Sequence, residues 1–276
     1  MNARIVQSII AAGLQHPDLL SKWQGNPSFL RNNGIDPAQL DLEALKKFSG
    51  LTIKVRHNAL RLDFPLSFRL MAISGLDIGI FSAYAVTQSS QGRRYAATSE
   101  GRAIDFITFL EQWLDLKTKS HSLLWDLIRH EQAIAQLKRL AGKIEMGPLK
   151  IGSRMKSRIT SRSRPEVQGE IILHAMNSDP QAIESHIFER PPRLEQIKLC
   201  SSYRCYWLPP SGDEVQILGL DEFAYHALGM IDGLISVGEL SGAFGGAARP
   251  SKLFFSLLAE LASTGLLEFK SNRGVN

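Results

Sequence analysis

The sequence predicts an α+β protein, with a helical N-terminal bundle followed by a mixed α/β C-terminal domain. Three observations carry this. Apolar residues recur at helical spacing through about residue 145. Past a polar, basic stretch, short β-branched and aromatic runs bounded by Pro, Gly and Ser take over. The chain then shows three helical segments and a Gly-headed apolar run, in the order of a winged helix. The predicted divisions are a helical domain at 1–145, a basic linker or exposed strand at 146–168, and an α+β domain at 169–276. The winged-helix-like part falls at 197–270.

In order, Ile5–Leu14 has helical spacing, and His16-Pro17-Asp18 breaks it. Asp36-Pro37 starts a helix that runs through Leu40, Leu45 and Phe48, with Pro at an early position. The apolar stretch Leu62–Val86 belongs at the centre of a bundle, and 88–102 is a polar loop. Ala103–Leu116 and Ser120–Leu140 form an amphipathic helical hairpin across 117–119. Glu170–His174 reads as a strand, and Ser178-Asp179-Pro180 caps a short helix, Gln181–Phe188. Ile197–Leu208 and Glu214–Leu218 are strands around the turn Pro209–Asp213. Helices follow at Asp221–Ile231, Val237–Phe244 and Pro250–Thr264, and a strand at Gly265–Phe269.

Charge is uneven. The chain has 276 residues, 32 Lys and Arg against 27 Asp and Glu, and a net charge of +5. Lys150, Arg154, Lys156, Arg158, Arg162 and Arg164 lie in one run without an acid, which outweighs that excess. Such a run suits phosphates or an acidic peptide, or a solvated linker. No stretch reads as a transmembrane helix, since Leu70–Val86 is interrupted by Asp77 and rich in Gly and Ser. The apolar patch at the N-terminus is too short for a secretory signal, and two Cys give no disulfide framework. A cytoplasmic protein with no membrane partner is expected.

Ser122–Leu137, SLLWDLIRHEQAIAQL, poses the sharpest chemical question. A His-Glu pair inside an apolar run opens like a zinc-protease helix, but that motif needs a second His where Ile134 stands. At 100° per residue, His130 and Glu131 fall inside the apolar arc, while Trp125 and Arg129 fall outside it. A carboxylate there needs a donor on a neighbouring element. The group Trp125, Arg129, His130 and Glu131 therefore reads as a structural polar contact or as a partner interface.

Other reactive patterns are missing. Cys200 and Cys205 would lie ~16 Å apart on opposite faces of one straight strand, and buried free thiols are the expectation. The seven His, at 16, 57, 121, 130, 174, 186 and 226, are scattered. No phosphate loop, dinucleotide fingerprint or nucleophile elbow occurs. In the third helix of the winged-helix pattern, Leu253, Phe254, Leu257, Leu258 and Leu261 form the predicted buried face. Lys252, Ser256, Glu260 and Ser263 form the opposite one, where one Lys is offset by one Glu. Groove reading needs Arg, Lys, Asn or Gln, so nucleic acid is a disfavoured partner. A winged-helix DNA-binding regulator remains the alternative reading.

Within Leu220–Phe269, Ile231-Asp232-Gly233, Val237-x-Glu239-Leu240 and Leu261-x-x-x-Gly265-Leu266-Leu267 resemble the leader-binding winged helix of ribosomal-peptide modification systems. More widely, the helical half with LLWDLIRHEQAIA, the segment ILHAMNSDPQAI and the C-terminal pattern are similar to accessory subunits of multinuclear iron-dependent peptide oxidases. Methanobactin and thiaglutamate pathways use such pairs. The resemblance implies a non-catalytic subunit with no cofactor of its own. It would bind a precursor (leader) peptide for an oxidase partner that carries the iron and modifies a cysteine. Strand addition suits such capture. The expected edge is Tyr203–Leu208, with Tyr203, Cys205, Tyr206, Trp207 and Leu208 beside Phe254 and Leu258 of the third helix.

Overall fold

The computed structural model describes residues 3–142, 159–212, 214–244 and 252–270. They form an α+β structure that divides into two compact units. Unit 1 comprises 1–128 and 181–197, and unit 2 comprises 129–180 and 198–276.

The helices of unit 1 are α1 (Ala3–Gln15), α2 (Pro17–Gly25), α3 (Ser28–Asn32), α4 (Leu42–Arg56), α5 (Pro65–Ile73), α6 (Asp77–Ser90), α7 (Ser99–Trp113), the first turns of α8 (Lys119–Ala141) and nearly all of α9 (Pro180–Phe188). Asp41 starts α4 by accepting from Ala44 N at 2.8 Å, and Thr98 starts α7 through Gly101 N at 3.0 Å. The helix expected from Asp36 is therefore two pieces, a 3-10 turn at Pro37–Gln39 and then α4. The apolar stretch 62–86 also divides, because Gly75 adopts φ +68° and α5 and α6 meet at 109°. Phe68, Phe81, Tyr84, Phe106 and Leu110 fill the main core. α4 crosses α6 at Gly50, where a Cβ would lie 2.7 Å from Ser82 N. Lys54 and Asp77 close an ion pair between these helices.

Ile183, Ile187 and Ile197 are fully or almost fully buried in that same core. The first unit therefore includes residues the sequence pattern assigns to the second domain, and the second unit takes over α8 from Arg129.

Unit 2 contains β1 (Arg164–Val167), β2 (Glu170–Met176), β3 (Ser202–Leu208), β4 (Gln216–Leu220), α10 (Glu222–Gly229), α11 (Val237–Ala243), α12 (Lys252–Ser263) and β5 (Leu267–Lys270). The order β2-β3-β4 makes a three-stranded antiparallel sheet, and β1 pairs antiparallel with β5. β1 lies at the end of the basic run; its counterparts Lys150, Arg154, Lys156 and Arg158 fall outside the described residues. Gly169 links β1 to β2 at φ +81°, and a Cβ there would sit 2.1 Å from Leu208 O. Asp221 caps α10, and Ser236 with Glu239 forms a capping box on α11.

Period-two alternation assigns the faces of the sheet. Cys205, Trp207, Leu173, Leu218 and Leu220 join Phe254, Leu258 and Leu261 in one core with α10–α12. On the opposite face Tyr206, Leu208, Ile172 and Met176 pack with Ala133 and Leu137 of α8.

Candidate functional site

β3 is the central strand, paired with β2 on one side and β4 on the other. The expectation that Tyr203–Leu208 is an open edge is therefore corrected. Cys205, Tyr206, Trp207 and Leu208 are at most 3% exposed, and Phe254 and Leu258 at most 2%. The six side chains build the core, so none offers a surface to a peptide; Tyr203 is half-buried, with its ring tilted against that of Tyr225 at 5.0 Å. The run Cys205–Leu208, without a charged residue, is what a strand covered on both faces requires. Leu253 also departs from expectation, being 80% exposed at the first turn of α12. Cys200 is exposed and Cys205 buried, where burial drives the thiol pKa up to about 12.

The free edge belongs to β4. Its inner side pairs with β3, and no strand among the described residues pairs with its outer side. Leu218 and Leu220 anchor it in the three-helix core, while Gln216, Ile217 and Gly219 are exposed. Gly219 accommodates the guanidinium of Arg204, whose Nη1 would meet a Cβ at 2.4 Å. Arg204 is held in turn by Asp179 at 2.6 Å. The other outer strand, β2, is partly occupied, since Arg129 Nη1 donates to Ala175 O at 2.7 Å. β4 thus offers the more open row of backbone donors and acceptors in this sheet.

Behind that edge lies a polar cluster that the sequence showed only in part. His130 Nδ1 lies 2.8 Å from Tyr206 Oη, and Arg129 Nη2 donates to His174 Nδ1 at 2.8 Å. Both imidazoles sit against the Tyr206 ring, with centroids 5.4 and 5.7 Å away. A guanidinium only donates, so His174 Nδ1 must accept and its proton resides on Nε2. Burial, and then the nearby charge of Arg204, push His130 down to about 4. Burial, then Arg129 and His130, do the same to His174. Both rings are neutral at pH 7.

Arg129 and His130 are therefore engaged inside unit 2, and Glu131 is buried and partnered. Trp125 packs half-buried against the core of unit 1. Of the two readings of this group, the structural contact is the one these bonds support for Arg129, His130 and Glu131, whose polar groups are engaged within the chain. Of the expected group, His130 and Tyr206 meet, whereas Trp125 belongs to the other unit. His174 and Arg204 were missed as participants. The available signal was parity, since Ile172, His174 and Tyr206 share one face once β2 is registered on β3.

Among the described residues, no three His, Cys, Asp or Glu side chains are grouped to hold a metal ion. Among them, too, no single helix is long and apolar enough to cross a membrane. α12 presents Lys252, Ser256, Glu260 and Ser263 outward, as expected. No family model matches the chain, and no curated protein matches it.

Proposed function

We propose that this chain is a non-catalytic accessory subunit that captures a ribosomally made precursor peptide on the outer edge of β4. It presents the peptide to a cytoplasmic, multinuclear iron-dependent oxidase that modifies a cysteine. The observation that carries the reading is the unpaired edge of Gln216–Leu220, at the end of an antiparallel sheet that leads directly into three helices. That order matches what a leader-binding winged helix requires. An extended peptide joins such an edge through main-chain hydrogen bonds, and alternate side chains supply specificity. Exposed Ile217, and Leu253 on α12, offer apolar contacts beyond the backbone. The balanced outward face of α12 favours this reading over DNA recognition.

The test is a binding titration with a synthetic copy of any short precursor peptide encoded beside this chain's gene, followed by co-expression with any oxidase encoded there; a neighbourhood that holds neither counts against the proposal. Saturable peptide binding and a stable complex with the oxidase are expected. In the Ile217→Lys variant, a charge on the edge opposes strand addition. Its affinity should fall about tenfold, a loss of about 1.4 kcal/mol, with an unchanged melting temperature. Failure of both peptide and oxidase to associate overturns the proposal. Salt-sensitive binding to duplex DNA in their place supports the regulator.

A further inference from the structure

Unit 1 contains a cavity of about 540 Å³, within the range of small-molecule sites. Its lining comes from the junction of α1 and α2, including His16 and Pro17, from α4 and α6, and from the segment after α6. Two features set its chemistry. Exposed Arg56, Arg93 and Arg94 all line it, and no carboxylate does. None of these three has an ion-pair partner among the described residues. Arg56 is steered by the ring of Tyr95, 5.2 Å below its guanidinium carbon. Asp18, which accepts from the lining residue Ser89 at 2.5 Å, is neutralised by Lys22 at 2.9 Å.

The second feature lies deeper. Gln88 lines the cavity and is 5% exposed; its side chain also neighbours the buried Tyr84 hydroxyl, and neither its Oε1 nor Tyr84 Oη has a hydrogen-bond partner of good geometry among the described residues. An unsatisfied buried amide oxygen is costly, and a ligand donor relieves that cost. Ile53 and Ala85 make the neighbouring wall apolar, so the interior suits a ring body more than a hydrated ion.

We infer that this cavity binds a small organic anion: an apolar ring body inside, a hydrogen-bond donor toward Gln88, and a carboxylate or phosphate held by Arg56, Arg93 and Arg94. The site lies wholly within unit 1 and does not depend on the edge of β4, so peptide capture and anion binding fail independently.

Calorimetric titration of the full chain with three naphthalene probes tests it. They are 6-hydroxy-2-naphthoate, 2-naphthyl phosphate and the neutral 6-hydroxy-2-naphthamide. The anions should bind at least about tenfold more tightly than the amide, and the tighter of the two identifies the headgroup. Arg93→Ala with Arg94→Ala, both at exposed positions, should weaken the anions about tenfold and leave the amide and the melting temperature unchanged. Equal binding of amide and anions, no binding of any probe at millimolar concentration, or indifference to the double substitution overturns the inference.

Discussion

His130 and His174 illustrate how much burial decides. A free imidazole titrates near 6.5, whereas each of these is pushed to about 4 by burial and adjacent guanidinium groups. The unfolded chain therefore takes up protons between pH 6.5 and 4 that the folded chain refuses. Their contribution to stability is fully present above pH 6.5 and is lost as pH falls toward 4. On going from pH 8 to pH 5, each ring should withdraw about 1–2 kcal/mol, read as a falling denaturation midpoint of unit 2. A His130→Gln, His174→Gln pair should flatten that pH dependence, and an unchanged slope would remove the assignment. Tyr206→Phe deletes the hydroxyl that meets His130 at 2.8 Å. The expected cost is about 1 kcal/mol, with peptide binding unaffected.

Elements were legible in the sequence where their signals were local. α7 to α12 and the strands β2 to β5 lie where spacing and caps place them, to within a few residues; β3, predicted to start at Ile197, begins at Ser202. Three kinds of feature were not legible. α2 and α3 are short and lack strong periodicity, and β1, with Pro165 in a basic context, falls where the sequence leaves linker and exposed strand both open. The central position of β3 depends on β2, a partner distant in sequence beyond α9, which no local pattern encodes, whereas β4 follows β3 across the short turn that the sequence marks. The third kind is close approach. Gly50 lies mid-helix, where Gly disfavours helix, and its reason is the passage of α6 beside it. Gly50→Ala should therefore lower the stability of unit 1 by about 1–3 kcal/mol, despite its better helix propensity. A gain in melting temperature would show that α4 and α6 have room to separate.

At the scale of the whole molecule, the division of labour falls along the two units rather than along a simple cut in the chain. α9 leaves the second half of the sequence to bury Ile183 and Ile187 in the first unit, while α8 past Ile128 covers the sheet of the second. The candidate site was half legible: His130 was named from sequence with a structural contact and a partner interface both open, and Tyr206 and the apolar strand were named as a peptide-binding edge. The reason is that burial of a polar residue cannot be read until its partners are known, and His174 and Arg129 meet His130 and Tyr206 only after β2 and β3 pair. In the function proposed above, the edge of β4 would receive the peptide, and the half-buried cluster of Arg129, His130 and His174 around Tyr206 supports the strand beside it.

Backbone amide exchange on the full chain, with and without the precursor peptide, tests strand capture most directly. The account predicts that saturating peptide slows exchange across Gln216–Leu220 at least about tenfold, with little change in the already paired β3. Tight peptide binding that leaves the amides of β4 unprotected, and protects another surface instead, would contradict it.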